Sequence, residues 1–352
     1  MLRRELSLSC LALLLALSAA CAPTLSKPRG KLHLDALAAA ESHQHHGRYR
    51  EAADSYLRAA DGAERRVDRD EALYRRSRAL ARSGDYREAI AVCDQLAASD
   101  TIARRTLRAR LDAARYRLLV GEEERAEREL HALVVGYPET AAARGAARML
   151  IQRHVDAVDD KIAALRYLGE LEREVSESSL GELLMSARAE LLIELGRRRE
   201  AMEVLSRQVA RYPYPSGLRW EEALYRLADL ALDEGEPQGA IDYLKKLVSA
   251  HESSIIIGSY TRPKFPRAAL RIARIYRDEL RDPEAAIDAY EALRSEFPRS
   301  LVIDDALAEE AELRLLAGER ARGCDLLREL VESFEVGAAR RRAQTRIAQD
   351  CR

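Results

Sequence analysis

Glycine recurs in this chain at a nearly fixed distance, and the same small and aromatic residues follow it each time. "HHGRYREAADSYLRAA" (45–60) places Gly47 before Tyr49, Ala52, Tyr56 and Ala59. "SGDYREAIAVCDQLAA" (83–98) places Gly84 before Tyr86, Ala89, Cys93 and Leu96, and "VGEEERAERELHAL" (120–133) places Gly121 before Ala126 and Leu130. Later copies are Gly196/Ala201/Leu205, Gly235/Ala240/Leu244, and Gly318 with Leu327 and Leu330. From 47 to 84 and from 84 to 121 is 37 residues each; from 121 to 196 is 75, about twice that; from 196 to 235 is 39. The turn missing from the long interval is expected near Asp159-Asp160. The apolar residues step by three and four, the period of a helix. Each unit therefore holds two helices of roughly 12–16 residues and two tight turns. Glycine ends the first helix because it enters the left-handed conformation without a Cβ clash. The small Ala that follows lets two helix axes approach closely, and the Tyr or Leu beyond it fills the space beside the next unit. No single pair can hide its apolar stripe, so the pairs must stack.

The turn between units has its own signature. "GYPET" (136–140), "RYPYPS" (211–216) and "EFPRS" (296–300) set an aromatic residue, a proline that cannot continue a helix, and then Thr140, Ser216 or Ser300 as expected N-caps. Asp282-Pro283 and Glu236-Pro237 place proline at the first helical position, where its missing N–H costs nothing. At these residues the chain resembles the tetratricopeptide repeats, over residues 32–335 and about eight units. The resemblance implies an all-α fold, a right-handed superhelical solenoid of antiparallel helix pairs. It also implies an inner face, lined by the first helix of each pair, that takes an extended peptide or a partner helix. The Tyr/Phe-Pro-x-Ser/Thr junctions resemble more narrowly two periplasmic envelope families, the outer-membrane β-barrel assembly lipoprotein and the cell-division coordinator of the Tol system.

The N-terminus reads as an address. Arg3 and Arg4 precede an apolar run from Leu6 to Ala20. That run is shorter than the ~20 residues a membrane-spanning helix needs, so residues 1–20 are expected to be a signal peptide. Leu17-Ser18-Ala19-Ala20-Cys21 resembles the bacterial lipobox, which implies lipidation at Cys21; an ordinary secretory signal cleaved after a small residue is the alternative. By the same resemblance, Ala22 in place of an inner-membrane retention aspartate implies the outer membrane, with the body on the periplasmic side. Residues 21–31 would then be a lipidated tether. Several acyl chains are needed for stable anchoring.

"SSIIIGSYTRPKFPR" (253–267) interrupts the pattern: Gly235 to the next turn at Asp282 is 47 residues, about ten more than a unit. A loop inserted near 251–264 is expected. Two roles stand open for it. Ile255, Ile256 and Ile257 could anchor a docked partner with Tyr260, Arg262 and Lys264 as rim, or the isoleucines could fold back and seal a junction.

Residues 336–352 are expected to form a C-terminal capping helix. Cys324 lies 12 residues before Val336 and Cys351 lies 15 after it. Two antiparallel helices rising 1.5 Å per residue bring them nearly level, so a disulfide is expected in an oxidising compartment. Cys93 sits at an apolar-face position and reads as a buried free thiol. His43, His45 and His46 lack further ligands in reach, and no metal site is expected. No nucleophile elbow, zinc-protease, phosphate-loop or dinucleotide motif is present, and the carboxylates are spread along helix faces beside Arg. With a formal net charge of −1 and no basic tail, nothing points to nucleic acid. The expectation is a non-catalytic outer-membrane lipoprotein scaffold, without cofactor, binding periplasmic or outer-membrane proteins in envelope assembly. A glycan or lipid carrier, or a pilot lipoprotein for a secretion or motility pore, is the alternative.

Overall fold

The computed structural model describes residues 29–98, 104–156, 160–250 and 264–351. Among them are seventeen helices and no strand. Seven pairs pack together: α1 (Lys31–His45) with α2 (Tyr49–Asp61), α3 (Arg66–Arg82) with α4 (Tyr86–Ala97), and α5 (Arg104–Leu119) with α6 (Glu123–Gly136); α7 (Ala141–Asp156) and α8 (Lys161–Glu174) come next in the chain. The series continues with α9 (Ser179–Glu194) and α10 (Arg198–Arg211), α11 (Trp220–Asp233) and α12 (Pro237–Val248), α13 (Lys264–Asp278) and α14 (Pro283–Glu296), and α15 (Ile303–Leu316) and α16 (Arg320–Ser333). α17 (Ala338–Asp350) follows without a partner of its own. The residues expected to form the signal peptide, the lipid site Cys21, and Ile255, Ile256, Ile257, Tyr260 and Arg262 lie outside the described residues.

The chain divides into two compact units, residues 1–150 and 151–352. In the first, the repeat positions make the core: Ala52, Ala59, Ala89 and Cys93 are 0% exposed, and Tyr56, Leu80 and Leu96 close around them. In the second, Ala201, Leu205, Ala240, Leu244, Leu327 and Leu330 do the same, with Trp220, Phe265 and Tyr290 added. Each fully buried leucine of this kind stabilises its pair by about 1.5–3 kcal/mol. The alanines contribute by letting axes close up.

Six of the turns within pairs carry a glycine at positive φ: Gly47, Gly84, Gly121, Gly196, Gly235 and Gly318, with φ between 72° and 89°. Adding a Cβ there would meet no neighbour within 4 Å, so the reason for glycine is the backbone angle and not space. The turn between α13 and α14 has no glycine, and Arg281 adopts the left-handed angle instead, at φ 53°.

The caps differ from expectation at two junctions. Thr140 accepts from the backbone N–H of Ala143 at 3.2 Å, as an N-cap does. α11, however, starts at Trp220, four residues after Ser216. The carboxylate of Glu182, on α9, takes the role instead, accepting from the backbone N–H of Leu218 (3.0 Å) and Arg219 (2.6 Å). Ser300 receives only a 3.4 Å contact from Val302 N, because α15 begins at Ile303. Pro237 and Pro283 open their helices, and the Asp282 side chain accepts from Ala285 N at 3.0 Å. At the turn expected near Asp159-Asp160, Asp160 caps α8 through Ile162 N and Ala163 N.

Candidate functional site

First helices of successive pairs meet each other directly, α3 on α5 in the first unit. Their exposed faces are dense in charge, and part of that charge is cancelled across repeats. In the first unit Arg75 of α3 reaches Glu41 of α1 (2.8 Å), and Arg105 of α5 pairs with Glu71 of α3. In the second unit Arg226 of α11 forks onto Glu190 of α9 (2.9 Å), Lys264 reaches Glu222 (3.4 Å), Arg271 pairs with Asp229, and Arg274 holds Glu309 (2.6 Å). Arg–carboxylate pairing was expected along single helices, at i,i+4. Such pairs exist, as between Glu71 and Arg75, but the recurring ones run from one first helix to the next, 34 to 42 residues away. Exposed pairs of this kind add about 0–1 kcal/mol each. Their larger effect is to leave the groove between helices close to neutral.

One stretch departs from this. A groove of 700 Å³ in the first unit is lined by Tyr74 and Arg78 of α3, by Leu107, Arg108, Leu111, Asp112 and Arg115 of α5, and by Tyr137 and Thr140. Helical spacing sets it up. Arg108, Leu111 and Arg115 fall at i, i+3 and i+7, one face of α5, while Tyr74 and Arg78 fall at i and i+4 on α3. The opposite face of α5 is buried through Ala109, Ala113 and Tyr116, which fixes which side looks outward. Leu107 and Leu111 form an apolar floor, 4% and 8% exposed. The backbone of α7 comes so close at Gly145 that a Cβ there would lie 2.7 Å from the tip of Leu111.

The groove's polar side is cationic. Arg78 and Arg108 are exposed, and no acidic side chain among the described residues lies within ion-pair distance of either. Arg115 reaches Asp112 at 3.2 Å, and Asp112 also accepts from the Tyr74 hydroxyl at 2.8 Å. Burial, and after it the Asp112 charge and hydrogen bond, push the Tyr74 phenol up to about 12, so it remains a donor at any physiological pH. Three guanidiniums thus face one carboxylate, which is itself 6% exposed and already bonded. Chemically the site can hold acidic side chains above an apolar contact. The second unit has a comparable groove of 820 Å³, lined by Tyr225, Arg267, Leu270, Arg271, Arg274, Val302 and Asp305 among others. There Arg271 and Arg274 are already paired, and the exposed Arg267 is the one guanidinium among those lining residues with no ion pair to a described residue.

Of the residues singled out in the sequence, Cys324 and Cys351 are brought together and joined, with Cα atoms 5.6 Å apart. Cys93 is a free thiol, 0% exposed, and burial pushes it up to about 12. His46 bonds the Ser42 carbonyl at 2.7 Å and its ring meets that of His45 edge-on. Among the described residues no group of three or more potential ligands could hold a metal ion, and no helix is long and apolar enough to cross a membrane. The groove residues Arg78, Arg108 and Arg115 were not singled out. Repeat spacing does not single them out, since Asp112 stands 34 residues after Arg78 and Glu71 stands 37 before Arg108.

The tetratricopeptide repeat family model matches residues 37–103, 186–255 and 225–300, together just over half of the chain. No curated protein matches the sequence. Among solved structures, a tetratricopeptide repeat protein from Parabacteroides merdae is 15% identical, over 79% of this chain and 98% of its own, with a TM-score of 0.35. The C-terminal part of a repeat protein from Cytophaga hutchinsonii is 14% identical, over 77% and 98%, with a TM-score of 0.45. PilW, described as a type IV pilus biogenesis factor, is 17% identical over 69% and 99%, with a TM-score of 0.37.

Proposed function

Because the chain belongs to the tetratricopeptide repeat family, we propose that it is a non-catalytic scaffold whose first-helix grooves bind protein partners, and that the groove of the first unit takes an acidic, partly apolar segment. The observation that carries this reading is the uncancelled charge of Arg78 and Arg108 beside the apolar floor of Leu107 and Leu111. Charge complementarity of this kind sets specificity and association rate, with apolar contact supplying holding energy. A glycan carrier would call for exposed aromatic faces along the groove, and of the two tyrosines lining this one Tyr74 is only 8% exposed.

The Leu17–Cys21 stretch supports a setting at the periplasmic face of an outer membrane, held by acyl chains on Cys21, with partners drawn from envelope assembly. Incorporation of labelled palmitate, lost in Cys21→Ala, tests the anchor.

The partner reading is tested by a photo-crosslinking residue at position 111 in envelope preparations. We expect one protein adduct whose crosslinked peptide is acidic, reduced at least tenfold by Arg78→Glu with Arg108→Glu. An adduct that survives both charge reversals, or one whose peptide is basic, would contradict it.

A further inference from the structure

α17 sits on α15 and α16 as α5 sits on α3 and α4: it takes the place where the first helix of another pair would stand. Its hold is different. α15, the last first helix before it, buries Ile303, Leu307 and Leu313. α17 buries Ala339 and Ala343, with Ile347 partly covered. Thirteen residues are too few for a helix to be stable alone in water, and two alanines remove little apolar surface. Arg340 adds bonds to the Val331 and Glu335 carbonyls (3.2 and 3.0 Å), and Arg320 donates to the Asp350 carbonyl. The remaining tie is the bond from Cys324, near the start of α16, to Cys351, just past the end of α17, closing a sequence separation of 27.

We propose that this disulfide is a redox-gated latch: its reduction releases α17 and uncovers the end of the last helix pair. Cys324 is 4% exposed and Cys351 is half-buried, so an incoming dithiol meets the Cys351 sulfur first. Its thiolate attacks there, the Cys324–Cys351 bond breaks, and Cys324 leaves as a thiolate that takes up a proton. The second thiol of the reagent then closes its own disulfide and frees the Cys351 thiol. Two electrons pass from the dithiol to the protein. Cys93, in the other unit and fully buried, stays outside the exchange. The seat that opens is shaped for a helix like α17 itself. The proposal stands apart from the identity of the groove's partner.

The test is hydrogen exchange on the full chain, oxidised and then treated with dithiothreitol, read against a Cys351→Ser variant. We expect peptides covering 338–351 to lose protection at least tenfold on reduction, while those covering α15 and α16 keep theirs. The variant should show the released pattern without reductant. Trypsin should then cut after Arg340, Arg341, Arg342 and Arg346 only in the reduced chain. Unchanged protection of 338–351 would overturn the latch. So would loss of protection throughout α15 and α16, since the bond would then hold the fold rather than the helix.

Discussion

Single residues in this fold act across repeats as well as within one. Glu182 is 3% exposed and closes the start of α11 from α9. Glu182→Ala removes the charged acceptor of two part-buried hydrogen bonds, which costs about 1–3 kcal/mol. Urea unfolding should show that loss, and Glu182→Gln, which keeps one acceptor, should show less than half of it. Tyrosines give a second residue-scale consequence. Burial holds Tyr74 up to about 12, and burial likewise raises Tyr225, whose hydroxyl donates to the Lys264 carbonyl at 2.9 Å, to about 12. In the unfolded chain both ionise near 10. A raised folded value means the contribution is whole below pH 10 and is lost as pH climbs through 12. Thermal melts from pH 8 to 11 should therefore fall at the alkaline end, and less steeply in Tyr74→Phe with Tyr225→Phe.

Elements were the most legible part of the sequence, for a local reason. A turn that needs a left-handed residue every 37 or so positions announces itself as glycine, and the face that follows announces itself as Ala and Leu three and four apart. The turn at Arg281, written without glycine, was located by its neighbour Pro283. Holding an L residue left-handed costs roughly 1–2 kcal/mol, partly offset by the entropy glycine loses on folding. Arg281→Gly should raise stability by about 0.5–1 kcal/mol, and Gly84→Ala, at φ 89°, should lower it by about 1 kcal/mol or more. Chemical denaturation of the two variants side by side checks both signs. The caps at Ser216 and Ser300 were misread because the partner that matters at the first, Glu182, lies 36 residues upstream of Leu218. A local rule cannot see it.

At the scale of the whole molecule, the proposed function rests on first-helix faces within each unit and on which of their charges the neighbouring repeat cancels. That pattern is non-local, so the sequence showed Arg-rich helices without showing which arginines are free. The insertion expected at 251–263 and the lipid site expected at Cys21 lie outside the described residues. The most direct test of the central claim adds the crosslinked partner, once purified, to the chain and maps protection from hydrogen exchange. The account predicts new protection in α3 and α5 around Tyr74, Arg78, Arg108 and Leu111, weakening as salt is raised, with α11, α13 and α15 unchanged. Protection confined to α11, α13 and α15, or insensitive to salt, would contradict it.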